Sequence, residues 1–517
     1  MNLLKSRIIQ GTLLLTVAGF ITRILGFFYR IFLADKLGAA VLGSYQLIFP
    51  IFAICSSIYG AGVQTAVSQL IAAEQGKRSK LCSSDSPTAK GLTTSQNTIE
   101  QNCRAILLLG CILSFLLAGS LTFWVYTKAD WIAARFIMAP ECAPYLQIMC
   151  MLFPFCGVGA CINGYYYGIQ NATVPSITQI VEQISRLSFV FILLIIFPGS
   201  AEHNCIIAVW GIVVGEIVSA VYNVYKYMHQ PKKDKANALS SFRHGLRHYS
   251  VPLLSLSTSL TGTKLVIALL HSAESVFIAA ALRQYGCSTK EALSIYGIIS
   301  GMVMPFILFP SAITNSMAVL LLPSAARAQA MKEQGRISTM AALSFKCSCY
   351  MGILCIGIFT RFGKKLGTMI FRSELSGSFI TVLCWLCPFM YLATTMGSIQ
   401  NGLGKTGTTF LQNIVAMGIR LAFVLFAVPV FGIRGYLWGF LVSELFLAFL
   451  CCISVGRQAD FQCNMIECLL KPGFALFISM GIDRAFCTAI SVTGSVVAIV
   501  LRMGIITACY GMFLGMI

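Results

Sequence analysis

The sequence predicts an all-α polytopic membrane protein of about fourteen transmembrane helices. Hydrophobic residues make up 57% of the 517 positions and charged residues only 11%, about half the charged share of a soluble domain. Apolar runs of about 20 residues, long enough to cross a bilayer, fill nearly the whole chain. An internal duplication divides the first twelve helices into two lobes of six and leaves two helices at the C-terminus.

The positions of the apolar runs give the predicted spans. They are 8–33, 42–73, 105–126, 145–168, 176–197 and 206–227 in the first lobe, 249–281, 294–326, 340–361, 377–399, 408–429 and 435–455 in the second, and then 471–490 and 493–515. The predicted domains are an N-terminal lobe (1–228), a basic cytoplasmic linker (229–248), a C-terminal lobe (249–456) and a final helix pair (457–517). The first run is too long and too charged for a cleavable signal peptide, so we expect it to stay as the first membrane helix.

Polar residues that recur at similar spacing reveal the duplication. The matched positions are Gln170-Asn171 with Gln400-Asn401, Gln179 and Arg186 with Asn413 and Arg420, and Trp210-Gly211 and Glu216 with Trp438-Gly439 and Glu444. Each repeat contains six helices, an even number, so both insert the same way up. We therefore expect a pseudo-twofold axis along the membrane normal and a cavity between the lobes.

The formal net charge of +19 reflects Lys and Arg in short loops beside apolar runs. Their excess in the predicted inner segments places both termini in the cytoplasm of a bacterial cell, and anionic headgroups rather than nucleic acid are the expected partners. One predicted outer loop departs from this bias, with Arg361, Lys364, Lys365 and Arg372. It is either a headgroup contact on the outer leaflet or the sign of a miscounted helix.

Neither a cofactor nor a catalytic site is predicted. Most of the 21 cysteines lie in apolar runs, where Cys behaves as a small hydrophobe, so we expect free thiols and no metal. The longest loops, 75–103 and 228–248, are too short for a catalytic domain, and no nucleotide-binding or hydrolase motif is present. The protein is thus predicted not to be an enzyme and to draw energy from a gradient or the membrane potential.

Charged residues inside the spans are the first candidates for a site, since each Lys or Arg costs about 2.5–3.5 kcal/mol at mid-bilayer. Arg23 and Arg30 lie two turns apart on one face of the first helix, with no acid among them. This arrangement predicts a water-filled wall that attracts anions. Arg502, among apolar neighbours in sequence, is expected to snorkel to the membrane surface.

Two further pairs of opposite charge are predicted at the site. Glu182 and Arg186 are four residues apart and share one helix face, where an ion pair either pins the helix or lines water. Lys264 and Glu274, ten apart near one face of the seventh helix, are interpreted as an ion pair or a gate together with Arg283.

The repeated polar residues are predicted to serve gating or packing. This group comprises Gln170, Pro175, Glu216, Pro305, Gln400, Asn401, Arg420 and Glu444. The two glutamates either tether helix packing or carry protons. Prolines punctuate the seventh and eighth helices, at 252, 305, 310 and 323, and Pro bends membrane helices where neighbours satisfy the freed carbonyls. These two helices are therefore the predicted moving parts.

Several long blocks resemble one known family. They are TRILGFFYRIFLADKLG (22–38), GSYQLIFPIF (43–52), INGYYYGIQNATVPSITQIVEQISR (162–186) and the block 273–330. They are similar to the stage V sporulation protein B group of polysaccharide-biosynthesis membrane proteins, which shares a superfamily with MurJ-type lipid II flippases and MATE exporters.

The resemblance implies a flippase that works by alternating access. Its substrate would be an undecaprenyl-pyrophosphate-linked sugar, either a lipid II-like peptidoglycan precursor or another lipid-linked oligosaccharide. The MurJ-type relatives also imply cavity arginines on the first helix and a lipid-tail groove on helices thirteen and fourteen. Arg23 matches that arginine motif, Arg30 is offset from it by one residue, and Ile31 stands where the relatives have an acid.

The implied partners are the lipid-linked glycan, membrane lipids and a coupling ion, Na⁺ or H⁺, with the protein as a monomer. Asn171, Glu182, Arg186, Lys264 and Glu274 complete the predicted substrate-binding set with the two arginines. One alternative is a cation-coupled drug exporter of the MATE type, which would present carboxylates where this chain has Arg23 and Arg30. Another is a membrane glycan polymerase, which would need a large outer loop.

Overall fold

A computed structural model describes residues 2–81, 89–230, 238–459, 464, 466–489 and 496–516. Within these ranges all regular secondary structure is helical, which confirms the predicted helical class. The α-helices are α1 (Asn2–Leu47), α2 (Phe49–Ser56), α3 (Gly62–Leu81), α4 (Ala89–Thr127), α5 (Ala129–Trp131), α6 (Ala143–Cys150), α7 (Phe153–Gly168), α8 (Thr173–Ile196), α9 (Ala201–Met228), α10 (Ala238–Gln284), α11 (Thr289–Gly297), α12 (Met304–Leu308), α13 (Ser311–Ala330), α14 (Gln334–Phe371), α15 (Glu374–Leu383), α16 (Cys387–Gly402), α17 (Thr406–Ala422), α18 (Val428–Phe431), α19 (Ile433–Ala459), α20 (Lys471–Ala489) and α21 (Val496–Met516).

Short π-helical segments interrupt this order. They are Ser57–Ala61, Ile132–Ile137, Ile298–Val303, Phe423–Ala427 and Ile466–Leu470. A π-turn carries one more residue than an α-turn and loosens the regular hydrogen bonding, so it frees backbone groups for other partners. The carbonyl of Ala61, the last residue of the first segment, accepts a side-chain hydrogen bond at the site described below.

Eleven helices in the described part are long and apolar enough to cross a membrane, and a bent pair, Pro140–Cys150 with Phe153–Gly168, makes a twelfth. The difference from fourteen predicted spans has two sources. The stretch Leu14–Gly76 is one candidate of 63 residues but covers two predicted spans, and it is kinked at Gly38, whose φ is +69°. The other source is α20, which contains an aspartate and an arginine. The number fourteen stays a prediction.

By spatial contact the chain divides into two units. Unit 1 consists of residues 1–26 and 44–276, and unit 2 of residues 27–43 and 277–517. Helix α1 therefore contributes to both units, and most of α10 belongs to unit 1. The predicted lobes, drawn from the sequence repeat, stay a prediction.

The core of unit 1 is formed by α3, α4 and α7. Val67, Ile71, Ile106 and Cys161 are among its fully buried side chains. The close contact of α7 with α3 needs glycine at position 164, because a Cβ there would lie 2.5 Å from the Gln64 carbonyl oxygen. This packing fixes the position of α7 and so of the start of α8, which follows α7 after a short turn.

The corresponding core of unit 2 packs α13 and α14 against α16 and α19. Ala325, Met396, Ile399 and Val455 have no exposed surface or almost none. This core supports α17 and α19, which carry the second copy of the repeated polar residues.

The predicted eighth span, 294–326, is broken in the structure. After α11 comes a π-helical segment and the five-residue α12, and a turn at Phe309 and Pro310 then leads into α13. Pro305 directly follows the π-helical segment Ile298–Val303 and Met304, inside the continuous helical stretch Thr289–Leu308. Pro252 and Pro323 also lie inside continuous helices. Pro310 is thus the proline of the four that marks a break.

Candidate functional site

The turn before α8 is stabilised by the backbone conformation of Gln170 and by a side-chain hydrogen bond of Asn171. Gln170 adopts a left-handed conformation with φ +59°, and the Asn171 carboxamide oxygen accepts a 3.1 Å hydrogen bond from the Thr173 N–H. A short polar side chain that bonds two residues ahead stabilises such turns. The turn fixes where α8 begins and so places the charged residues along it.

Glu182 and Arg186 form an ion pair along α8. Their side chains are 25% and 19% exposed respectively, so the pair is reachable from outside the core. Glu216 of α9 lies within electrostatic reach of both residues and beside Cys156. One arginine is thus shared by two carboxylates in unit 1.

Helix α9 approaches this pair through a glycine. A Cβ on Gly215 would lie 3.0 Å from the Glu182 carbonyl oxygen and 3.2 Å from Cβ of Arg186. Any larger residue would push the two helices apart. The sequence repeat therefore marks a real packing contact between α8 and α9.

The second copy of these residues is also assembled. Arg420 of α17 lies 3.5 Å from Glu444 of α19, and the two side chains are 9% and 11% exposed. The Arg420 guanidinium stacks over the Phe440 ring at 4.3 Å, which adds a cation–π contact. This pair joins two helices through residues that are 24 positions apart in the sequence.

The two arginines of α1 are both exposed and lie two turns apart on one helix face. Arg23 belongs to unit 1 and Arg30 to unit 2. One turn after Arg23, a Cβ on Gly26 would lie 3.7 Å from Nε2 of Gln183. Since Gln183 follows Glu182 on α8, the first arginine lies on a helix that borders the charged pair.

Lys264 of α10 binds the π-helical segment of unit 1. Its Nζ donates a 2.5 Å hydrogen bond to the Ala61 carbonyl and a 2.9 Å hydrogen bond to the Thr65 hydroxyl. Ala61 is the last residue of the segment Ser57–Ala61, and its carbonyl also accepts a 2.8 Å hydrogen bond from the Thr65 hydroxyl, so the lysine ties α10 to the end of this segment.

Glu274 lies ten residues further along α10, about 15 Å at the usual helical rise, and is 7% exposed. Its Oε2 is 3.7 Å from Nδ1 of His271. The roles given to Lys264 and Glu274 in substrate binding stay predictions.

The remaining repeated residues lie in different surroundings. Gln400 has no exposed surface, and neither its carboxamide nitrogen nor its oxygen has a hydrogen-bond partner in the described part of the chain. Asn401 is half-buried near the end of α16. Pro175 is buried in the first turn of α8. Their gating or packing roles stay predictions.

The expectation for Arg502 is wrong. Its guanidinium donates to both carboxylate oxygens of Asp483, at 2.8 and 2.6 Å, and the arginine is 8% exposed. Arg502 on α21 therefore does not snorkel, because a fully buried acid on α20 supplies its partner. Sequence reasoning missed this pair, since the two residues are 19 positions apart on different helices.

The thiols and acids give no sign of a metal centre. The cysteines whose side chains the structure describes are free, and no group of three or more potential metal ligands occurs among the described residues. The candidate site is therefore one of charged and polar side chains.

A comparison with known protein families matches residues 8–329 to the family described as polysaccharide biosynthesis protein. This chain belongs to that family. Among related sequences, this polysaccharide biosynthesis protein is similar to the stage V sporulation protein B of Bacillus subtilis (strain 168), with 23% identity over 481 residues that cover 92% of this chain and 88% of that protein. The resemblance of the sequence blocks is confirmed.

Solved structures show which fold this polysaccharide biosynthesis protein adopts. The lipid II flippase MurJ in an inward closed conformation aligns with a TM-score of 0.69 at 13% identity, covering 97% of this chain and 98% of that one. An inward-facing multidrug resistance transporter of the MATE family aligns with a TM-score of 0.64 at 14% identity, covering 83% of this chain and 94% of that one. The chain is a multi-pass membrane protein with the fold of these transporters.

Proposed function

We propose that the protein is a flippase that moves an undecaprenyl-pyrophosphate-linked sugar from the inner to the outer leaflet by alternating access. The observation that carries this proposal is the pair of exposed arginines, Arg23 and Arg30, two turns apart on one face of α1. Two cations placed this way at membrane depth fit an anionic substrate.

Arginine suits a pyrophosphate better than lysine does. Its planar guanidinium donates two parallel hydrogen bonds to phosphate oxygens, whereas a lysine ammonium acts as a point charge. The membrane potential would also help export, by about 2.3 kcal/mol for each negative charge per 100 mV. A polar path lined by cations would remove the cost of passing sugars through hydrocarbon.

The share of this chain that aligns with each solved structure supports a lipid-linked substrate. The alignment with the lipid II flippase covers 97% of the chain, whereas the alignment with the MATE transporter covers 83%. We infer that α20 and α21, which lie outside the sequence repeat, serve the lipid part of the substrate. The cytoplasmic position of both termini belongs to the same proposal.

A second candidate is export of small molecules coupled to a cation, as in the MATE alternative. One observation favours it: Glu216 lies near both Glu182 and Arg186 in unit 1, so acids outnumber bases there. A proton or Na⁺ would balance this charge. The same feature is compatible with a cation-coupled flippase, so it tests the coupling rather than the substrate.

The decisive test is a substitution series at Arg23, read out as lipid-linked substrate reaching the outer leaflet at matched expression. Arg23→Lys should weaken transport because the bidentate contact is lost although the charge is kept. Arg23→Glu should abolish transport by repulsion while the protein still reaches the membrane. Arg135, also exposed in unit 1, provides the matched control, and its substitutions should leave transport unchanged.

Wild-type transport in Arg23→Ala would reject the proposal. If the series changed resistance to cationic drugs but not the outer-leaflet substrate, the MATE-type function would replace it. Native mass spectrometry of the purified protein gives an independent check, since a polyprenyl-pyrophosphate species should co-purify with wild type and decrease in Arg23→Glu.

A further inference from the structure

A second charged cluster lies in unit 2, among α14, α20 and α21. At its centre is Asp483, which has no exposed surface. Arg502 binds both of its carboxylate oxygens and stacks on the Phe362 ring at 5.0 Å. Nε of Arg361 on α14 lies 3.7 Å from Oδ2 of the same aspartate.

The cluster has an excess of positive charge. It contains two guanidinium groups and one carboxylate, and the forked contact with Arg502 already occupies both carboxylate oxygens. Arg361 is only loosely held, and its side chain remains 35% exposed. Asp483 lies six residues before the end of α20, and Arg502 lies six residues after the start of α21. Each is thus about 9 Å along its helix from that end. A charge at this depth is costly without a counter-ion.

The exposed face of α14 extends this positive charge. Arg361, Lys364 and Lys365 are all exposed, and their spacing of three and four residues places them on one side of the helix. Arg372 beyond them is paired with Asp35 at 3.0 Å. The described residues offer no ion pair to Lys364 or Lys365, so this face is available to an anion from outside the chain.

Apolar side chains exposed on the two helices packed against α14 indicate that this region faces lipid. On α20, Phe474 and Phe477 are 60% and 76% exposed, and on α21 Val500 is 59% exposed. Large apolar side chains left uncovered on membrane helices normally contact acyl chains. A counter-ion for the basic face would therefore arrive from the bilayer.

We propose that Arg361, Lys364 and Lys365 bind the phosphate of an anionic phospholipid of the surrounding membrane. Basic clusters between or beside membrane helices bind such headgroups, and flexible lysines reach toward the headgroup region. The sequence predicted these residues in an outer loop, but residues 361–371 continue helix α14, and the site accounts for their departure from the inside bias of the sequence. It does not depend on the substrate proposed above.

The test uses the purified full-length chain, with thermal unfolding measured in phosphatidylcholine and after addition of phosphatidylglycerol. We expect phosphatidylglycerol to raise the melting temperature of wild type, and the double variant Lys364→Gln/Lys365→Gln to lose at least half of that rise. These lysines make no ion pair in the described structure, so the variant should match wild type in phosphatidylcholine alone. The control Lys128→Gln/Arg135→Gln removes two exposed charges from unit 1 and should keep the full rise.

The charge-conserving variant Lys364→Arg/Lys365→Arg should also keep the rise, which separates loss of binding from loss of fold. An undiminished rise in the double glutamine variant would overturn the proposal. It would also be overturned if farnesyl pyrophosphate, standing in for a lipid-linked substrate, gave a lysine-dependent rise while phosphatidylglycerol gave none. In that case the face would serve the transported lipid instead.

Discussion

The two copies of the repeat use the same helix pairing but place different charges at it. In the first, α8 and α9 carry Arg186 with two acids, Glu182 and Glu216, and the Glu182–Arg186 pair is about one-fifth to one-quarter exposed. In the second, Arg420 of α17 is paired with Glu444 of α19, and both are nearly buried. The position that matches Glu182, counted back from the arginine, is Ala416.

The glycines of the two copies differ by one helical turn. In the first repeat, Gly211 and Gly215 of α9 meet α8, the latter beside the ion pair. In the second, Gly435 and Gly439 of α19 meet the π-helical segment Phe423–Ala427 that follows α17, and a Cβ on Gly435 would lie 2.7 Å from the backbone of Ala427. Small residues four apart let membrane helices approach closely in both.

This difference shows which part of the duplication tolerates change. The close contact between the helices is kept in both copies, so it is the structural requirement. Charge and exposure differ between the copies. The second copy is a buried ion pair of Arg420 and Glu444, called the buried clamp below. The first has one more acid than base and a partly exposed ion pair. We therefore expect the second copy to matter most for stability and the first to matter most for transport.

The largest effect should come from breaking the buried clamp. Arg420→Met or Glu444→Gln leaves the partner charge buried and unpaired, which should cost about 3–5 kcal/mol of unfolding free energy. The double variant removes both charges and should be closer to wild type. Thermal and denaturant unfolding of the purified protein measure this, and single effects that simply add in the double variant would contradict the pairing.

Copying the charge of the first repeat into the second should be nearly as harmful. Ala416 is 2% exposed, so Ala416→Glu forces a longer side chain and a third charge into a packed site, at about 2–4 kcal/mol. Ala416→Gln has the same size without the charge. A larger loss of stability in the glutamate variant than in the glutamine variant isolates the electrostatic part, and equal losses would argue against it.

Replacing the equivalent glycines of the two copies by alanine should lower stability by different amounts. A Cβ on Gly439 would lie 2.3 Å from Cβ of Phe423, an atom fixed to the backbone, whereas a Cβ on Gly211 would meet a methyl group of Val190 at 2.2 Å. The Val190 methyl can move if χ1 of this valine changes, which costs less than a shift of the backbone although χ1 of a helical valine is stiff. Gly439→Ala should therefore cost about 1–3 kcal/mol and Gly211→Ala less, as judged by melting temperature. The reverse order would show that the second copy is the looser one.

The smallest effect is expected for Glu182→Ala. Arg186 then keeps Glu216 as a partner, the arrangement of the second repeat, so stability should fall by less than about 1 kcal/mol for this partly exposed pair. Arg186→Ala leaves two glutamates facing each other and should be clearly worse. Equal melting temperatures for the two variants would mean that Glu216 does not share the arginine.

The fold class and the repeat were predictable because both depend on patterns of residues that are close together in the sequence. Apolar runs set the helices, and the recurrence of Trp210-Gly211 at Trp438-Gly439 marked equivalent contacts. The Glu182–Arg186 pair was also readable, since residues four apart on a helix always meet.

What the sequence could not show were partners brought together by tertiary structure. Asp483 lies within the predicted thirteenth span, 471–490, and nothing in that run shows that it is the buried partner of Arg502 on the next helix. The break at Phe309 and Pro310 was one of four proline positions with equal claims, and neighbouring packing selects among them. No spacing rule links residues on different helices, so such contacts need the assembled fold.

The π-helical segment that accepts the Lys264 hydrogen bond has a consequence for how this region can evolve. The segment Ser57–Ala61 holds one residue more than an α-turn would, so deleting one residue inside it would restore a regular α-turn and leave the register of the following helix unchanged. Deleting a residue from a neighbouring α-turn would instead rotate everything after it by about 100°. Gly62, where a Cβ would lie 1.9 Å from the Thr261 hydroxyl, would keep facing α10 in the first case and lose that contact in the second. The segment is thus the place where this helix can lose a residue without losing its contact with α10.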